Sequence, residues 1–481
     1  MFSIPNPEDY AVSRENGFLP TEAPLERLPD AYYEPWEYIM KNLQGFILSK
    51  RLRETVDKMP ILSTERLAGD AQWQRAYSVL AFITHAYIWG SDVPSERVPP
   101  CVTVPFLKIC KKLQLPPVAT YAGLVLWNWK PIFDAERMDT LANLDTIDTF
   151  TGSLDEKWFY LISVAIEAKA GPIVPLMLHA IDFARNGDRR AVTEALKAFA
   201  ERLDELGAML SRMYDNCDPH VFYHRIRPFL AGSKNMKEAG LPNGVIFDNG
   251  GPINKQRYVQ YSGGSNAQSS IIQFFDIVLG VEHLPTGVRK EDIPESERKS
   301  KAPASNFIHE MRRYMPGPHA RFLEAVTRVA NIRAFVDEHS YDKELTLAFD
   351  ACVAMLSAFR DKHIQIVSRY IIIKSAEAKK AASEDEAQQK KQKINLAHRP
   401  KPAPKDGGNK ENDKTEKGTG GTSLIPFLRQ ARNETGEQAV EAWTRRILSK
   451  RRGGVSGADE GEVKQGLAAV WKIENSGLCY H

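Results

Sequence analysis

Apolar residues recur along most of this chain at intervals of three and four, the spacing that gives a helix one face to bury. The pattern predicts helices over Glu37–Leu48, Gln72–Trp89, Asp188–Tyr214, Ser269–Leu279, Pro318–Asp337, Lys343–Ser375 and Leu424–Leu448. Ser153 and Glu156 have the spacing of a capping box. They open a further helix on which Trp158, Leu161, Ile162, Ala165 and Ile166 share one side. Alternating strand patterns are nearly absent. The expectation is an all-α protein with at most a minor sheet element in the first domain.

Shifts in the pattern divide the chain. Asp145–Gly152 is short, polar and rich in threonine, the composition of a connector. It separates a small N-terminal domain (1–148) from a large helical domain (149–373). Residues 374–417 are dominated by Lys, Glu, Gln, Asp, Pro and Gly, and cannot bury enough surface to offset the entropy of ordering, so this insert is expected to be disordered. Residues 418–481 hold a glycine-rich loop, a last amphipathic helix and a polar tail, and rejoin the large domain. No internal repeat is visible.

Composition narrows the function classes. The chain has 481 residues, 26% of them charged, and a net charge of +3, which gives no reason to expect a nucleic-acid or membrane partner. Five cysteines (Cys101, Cys110, Cys217, Cys352 and Cys479), odd in number and without CxxC spacing, argue against a disulfide framework or zinc site and for a reducing, cytoplasmic setting. The N-terminus lacks the regions of a secretory signal. No uninterrupted apolar run approaches the roughly 20 residues of a membrane span; the longest, Leu161–Leu178, carries Glu167 and Lys169. The Asn433-Glu434-Thr435 sequon is therefore read as meaningless.

The chemistry centres on His363. Cys352, Leu356, Phe359, His363, Ile366, Val367 and Tyr370 fall on one helical stripe, with Arg360 one turn before the histidine. Two readings stand. A core histidine satisfied by one hydrogen bond gives this pattern, and so does an axial ligand to haem, which needs a neutral imidazole in an apolar wall. Elsewhere, Gly418-Thr-Gly-Gly-Thr422 lacks the GK[ST] ending of a phosphate loop, and Gly263-Gly264 lacks dinucleotide-binding spacing. His220 and His224 have HxxxH spacing but no HExxH glutamate, and Pro219 and Pro228 leave little room for a regular helix. His85, His179 and His319 are isolated and read as structural or exposed.

Several segments together resemble the indoleamine 2,3-dioxygenase family. Phe359-Arg-Asp-Lys-His-Ile-Gln-Ile-Val-Ser-Arg-Tyr370 is similar to its proximal-histidine helix, and Tyr261-Ser-Gly-Gly-Ser-Asn-Ala-Gln-Ser-Ser270 to its distal glycine-serine segment. Met311-Arg-Arg-Tyr-Met-Pro316, Lys417-Gly-Thr-Gly-Gly-Thr422, Leu115-Pro-Pro-Val-Ala-Thr-Tyr121 and the Pro24–Trp36 stretch also match, in order, between about residues 4 and 435. The resemblance implies a haem b enzyme that uses O2 to open the indole C2–C3 bond of L-tryptophan or related indoleamines. The product is N-formylkynurenine, in the kynurenine pathway, and a reductant keeps the iron ferrous.

The resemblance makes His363 the iron ligand and sets Arg360, paired with Asp276, beside the haem. Gly264 and Ser265 then face the oxygen, with Ser163 at the ring edge of the indole and Phe159, Phe222, Tyr121 and Leu124 around it. Arg227 binds the substrate carboxylate, and Thr419 and Thr422 belong to a substrate-capping loop. Asn266 departs from the small apolar residue of vertebrate-like members. A monomer is expected. The rival readings are a diverged paralogue with weak tryptophan turnover and a non-catalytic haem sensor or interaction protein.

Overall fold

A computed structural model describes residues 2–134, 136, 139–288, 306–381, 418–419 and 424–450, and the described residues are predominantly helical. The N-terminal helix α1 (Gly69–Trp89) is apolar nearly all round and buried from Arg75 to Ile88, as a core helix must be. Short helices (Glu34–Lys41, Leu43–Leu48, Leu52–Asp57) and α2 (Pro100–Leu113) surround it. After the connector come α3 (Leu154–Ala170), α4 (Ile173–Arg185) and α5 (Arg189–Ser211), then α6 (Ser270–Val278) and α7 (Gly317–Val329). The long helix α8 (Lys343–Val367) packs along α5, and α9 (Leu424–Gly436) and α10 (Ala442–Lys450) close the described chain.

Several predicted helices are interrupted, each for a local or tertiary reason. The Glu37–Leu48 prediction is two helices that meet at Asn42. Pro318–Asp337 breaks at Ala330 and Asn331, where the Asn331 side chain donates to the carbonyl of Ile181. Leu424–Leu448 breaks because the Asp350 carboxylate of α8 accepts from the amides of Val440 (2.6 Å) and Glu441 (3.0 Å). In the other direction, α8 continues through a π-helical turn (Ser368–Ile372) into helix as far as residue 381, with Ser375 buried. The first eight residues assigned to the charged insert are thus helical; 382–417 and the tail 451–481 lie outside the described residues. The pattern left α2 and α4 unassigned.

The sheet also differs from expectation. Arg97–Val98 pairs in parallel with Val245–Phe247, which pairs antiparallel with Tyr258–Val259, so the element bridges the two expected domains. Among the described residues the Lys130–Pro131/Leu144–Asp145 pair and the single Ser13/Gly17 bridge lie within the first. Leu154–Arg185 is, by length and composition, apolar enough to cross a membrane (mean hydropathy 1.6), a length that counting uninterrupted apolar runs did not register. In the protein 78% of its apolar window is buried, and Gly171-Pro172 divides it into α3 and α4.

The connector is tied down at many points. Arg75 stands between Glu37 (2.8 Å) and Asp148, and Asn128 exchanges two hydrogen bonds with the Asp148 backbone. Ser153 accepts from the amide of Glu156 as a cap should. The Glu156 carboxylate reaches further back than a capping box requires, to the amides of Phe150 and Thr151. Phe150 stacks on Phe229 at 5.0 Å and meets Phe82 at 4.4 Å, while Tyr10 and Phe18 pack on Phe322 of α7. One continuous apolar core therefore runs through both parts of the chain.

Candidate functional site

Two adjoining voids lie where α3, α6, α8 and α9 meet. Including the open space at their mouths they span about 890 and 1210 Å³. Tyr121, Ser163, Leu210, Asn266, His363 and Phe427 belong to both. The first void continues along Ile272, Asp276, Phe359 and Arg360; the second along Leu124, Phe159, Phe222, Arg227, Gly264, Ser265 and Thr419. The structure thus gathers in one place every site residue assigned from sequence except Thr422, which lies outside the described residues.

His363 stands at the junction. On its stripe Cys352, Leu356, Ile366, Val367 and Tyr370 are buried, whereas Phe359 and His363 keep accessible surface because their part of the helix faces the void. The enclosure is nevertheless complete enough that burial, aided by the Arg360 charge, pushes the imidazole down to about 4. It is neutral, and neither ring nitrogen bonds to a described residue. Among the described residues no cluster of three or more His, Cys, Asp or Glu side chains could hold a bare metal ion. A single neutral imidazole facing a large apolar space fits a metal that arrives inside a macrocycle supplying its other ligands. Arg360, at the floor of the first void, fits the carboxylates such a macrocycle carries.

Three π-helical turns, the only ones among the described residues, wall the second void: Ala122–Leu126, Phe222–Ile226 and Ser368–Ile372. Such turns shift the side chains beyond them by part of a helical turn and often mark functional sites. They aim Leu124, Phe222 and Tyr370 inward. Phe222 lies 4.8 Å from Phe159 and 5.8 Å from Tyr370, centroid to centroid. Arg227 lies 5.3 Å from the ring of Tyr223.

The glycine-serine segment is shaped by backbone contact. A Cβ on Gly263 would sit 2.1 Å from the Leu230 carbonyl oxygen, one on Gly232 2.2 Å from that of Tyr261, and one on Gly264 2.5 Å from Leu124 Cδ1. The absence of side chains lets a third strand of backbone dock: the Thr419 carbonyl accepts from Gly263 N at 3.0 Å, and its hydroxyl donates to the Gly264 carbonyl at 2.7 Å. Buried Gln268 braces the arrangement, accepting from Tyr121 N (2.9 Å) and donating to Gly263 O (2.8 Å).

Two buried polar networks border the voids. Tyr121 and Ser269 both donate to Glu167 Oε1, at 2.9 and 2.7 Å, and burial raises this carboxyl to about 7. On the other side Arg360 Nη2 donates to both oxygens of Asp276 at 2.7 Å, the pairing the resemblance implied, while Nη1 donates to Thr435. The remaining described histidines stay out of these two voids. His85 is buried between Phe229 O (2.6 Å) and Ala119 N (2.9 Å), and His319 is buried; desolvation pushes both down to about 4. His220 and His224 are exposed, with rings 4.4 Å apart, on a stretch that is helical but not regular: three α-helical residues, a π-helical turn and four more α-helical residues, with Pro219 and Pro228 in the first turns of the two α pieces.

Sequence reasoning missed the α9 wall, Phe427 and Leu428, although Leu424, Phe427, Leu428 and Ala431 form a plain i, i+3, i+4, i+7 stripe. It noticed Glu167 only as a charge within an apolar run. An isolated carboxylate in such a helix is the signal that would have found it.

Comparison with known proteins agrees with this geometry. A family profile described as "Indoleamine 2,3-dioxygenase" matches residues 6–438. The indoleamine 2,3-dioxygenase of Saccharomyces cerevisiae is 38% identical over 447 residues, covering 90% of this chain and 94% of the yeast protein. The 6-hydroxytryptophan 2,3-dioxygenase of Fusarium equiseti is 38% identical over 431 residues (89% and 96%), and indoleamine 2,3-dioxygenase 1 of Rattus norvegicus 33% identical over 439 residues (91% and 96%).

Proposed function

The chain belongs to the indoleamine 2,3-dioxygenase family, haem-dependent oxidoreductases of tryptophan catabolism, and from that premise we propose that it converts L-tryptophan to N-formylkynurenine with haem b held at His363. The observation that carries the reading is His363 itself: neutral, without a hydrogen bond to any described residue, and shared by a void with an arginine in its lining and a second void with aromatic walls. Haem, when bound, supplies the chemistry that adds both atoms of O2 across the indole C2–C3 bond.

The chain's own residues bind and orient. Phe159 and Phe222 flank the indole ring, contributing roughly 0.5–1.5 kcal/mol each beyond area burial. Arg227 takes the carboxylate, and Leu124 and Tyr121 complete the wall. Gly264, Ser265 and Ser163 border the space for oxygen. Among the described side chains of the second void the titratable ones are Tyr121, Tyr160, Arg227, His363 and Tyr370, so no carboxylate base stands ready there. The protein's part is alignment and exclusion of water rather than proton transfer. Thr419 lines the mouth; Thr422, assigned with it from the resemblance, lies outside the described residues. The product feeds the kynurenine pathway; the enzyme works as a cytoplasmic monomer with a cellular reductant, a setting supported by four buried free cysteines.

Incubating haem-loaded protein with tryptophan, O2 and a reductant and following N-formylkynurenine absorbance tests the reading. Absence of product with haem bound would overturn it. A second reading, a ring-hydroxylated tryptophan as substrate, is favoured by Asn266, a polar residue lining both voids, and by the Fusarium relative.

A further inference from the structure

The Asp276–Arg360 pair does not end at Asp276. His283, buried in the loop after α6, places Nε2 3.1 Å from Asp276 Oδ2 and Nδ1 2.7 Å from Glu434 Oε2. Glu434 belongs to α9, and its other oxygen accepts from Leu284 N (3.0 Å) and Gln430 Nε2 (2.8 Å). Thr435, the next residue, receives Arg360 Nη1. A chain of four ionisable groups thus runs from α8 through α6 and the loop to α9.

An ionised carboxylate only accepts hydrogen bonds, so a histidine with a carboxylate at each ring nitrogen satisfies both only as imidazolium. In that state two buried positive groups, Arg360 and His283, balance two negative ones, Asp276 and Glu434. Removal of the histidine proton leaves one carboxylate facing a ring lone pair and an unbalanced buried charge.

We propose that His283 and Glu434 are positioning residues that latch α9 onto the cofactor-holding Arg360, and that the latch holds while His283 is protonated and loosens when it is not. The inference rests on the haem reading above. Phe427, Leu428 and Ala431 of α9 cover the first void, so a loosened α9 opens the route by which the cofactor leaves. The charged and titratable groups facing His283 are Asp276 of α6, Arg360 of α8, Glu434 of α9 and His309 of the Phe307–Met311 turn. Burial alone would lower His283, but the Asp276 charge and the hydrogen bonds to Asp276 and Glu434 outweigh it and hold the ring above its ordinary value. The latch is therefore complete below about pH 6.5 and weakens as pH climbs through the raised value.

Haem transfer from the loaded protein to excess apomyoglobin, followed in the Soret band between pH 6 and 9, tests this. Wild-type loss should accelerate about tenfold or more across the range, the size of one charge-assisted hydrogen bond. His283→Gln should already lose haem fast at pH 6, with a flat profile. Glu434→Gln, which keeps the histidine, should also be fast at pH 6 and supplies the reading if the first variant does not fold. A pH-independent wild-type rate, or variants with the wild-type rate and profile, overturns the latch. The measurement needs no turnover, so failure of the substrate assignment is separate from failure of the latch. If the chain takes up no haem, the haem reading fails and trypsin decides the latch instead. Cleavage after Arg429 and Arg432 of α9 should be faster in His283→Gln than in wild type at pH 6 and equal at pH 9; no difference at pH 6 overturns it.

Discussion

Thr419 donates its hydroxyl to the carbonyl oxygen of Gly264 at 2.7 Å, and its own carbonyl takes the amide of Gly263. Thr419 is thereby sewn to the glycine-serine segment, beside the place where a Cβ on Gly263 would collide with the backbone of Leu230–Gly232. Thr419→Val removes the hydroxyl while preserving shape. We expect KM for tryptophan to rise about two- to tenfold, the worth of one neutral hydrogen bond, with haem content unchanged. Steady-state kinetics beside the haem absorbance ratio check this, and equal loss of both would mean the contact merely supports the fold.

Arg227→Ala should lower kcat/KM for tryptophan by about ten- to several-hundred-fold, the worth of a charge-assisted contact to a carboxylate. Tryptamine has no carboxylate, so its kcat/KM should hardly change. A matching loss on both substrates would assign the arginine to structure.

His363→Ala should purify with little haem and without the Soret band of histidine ligation. Imidazole added to the buffer should restore part of the occupancy by filling the space the side chain leaves. Full haem content with an unaltered spectrum in the variant would remove His363 from the iron.

Glu167 gives a pH prediction whose sign follows from burial. Its carboxyl titrates near 4.5 when solvated and at about 7 in the fold, so between these values the folded chain holds a proton that the unfolded chain has lost. Stability from this group is full below about pH 4.5 and falls as pH rises to about 7. Glu167→Gln keeps an oxygen for Tyr121 and Ser269 and cannot ionise. Its melting temperature should match wild type near pH 4.5 and exceed it at pH 8, by the equivalent of about 3 kcal/mol. A constant difference across pH would contradict the shift.

Asn266→Ala should separate the two substrate readings. If the amide meets a ring hydroxyl, kcat/KM for hydroxytryptophan should fall about tenfold while tryptophan is unaffected or improved. Parallel changes on both would show that Asn266 does not read the ring.

What the sequence displayed and what it hid divide along physical lines. The stripe through His363 was legible because one helix writes its own periodicity, and Arg360 came with it. The Asp350 carboxylate that interrupts the last helix was not, since it acts from 90 residues away. Nor were the π turns at Ala122–Leu126 and Phe222–Ile226, because each changes the period over a single turn. Glu167 was visible but read as an interruption, for its partners Tyr121 and Ser269 come from other segments. His283 and Glu434 lie 151 positions apart, and nothing local announces their meeting.

The walls of the voids also impose an order in time. Tyr121 and Phe159 are made early, whereas Phe427 and Leu428 emerge from the ribosome roughly 300 residues later, tens of seconds at ordinary elongation rates. Until then the space beside His363 has no roof, and its apolar lining is open to water and to other chains. The enclosure around His363 is therefore completed only when α9 has been made. A nascent chain stalled before α9 would expose a sticky, half-built cavity, a natural place for a chaperone to hold on.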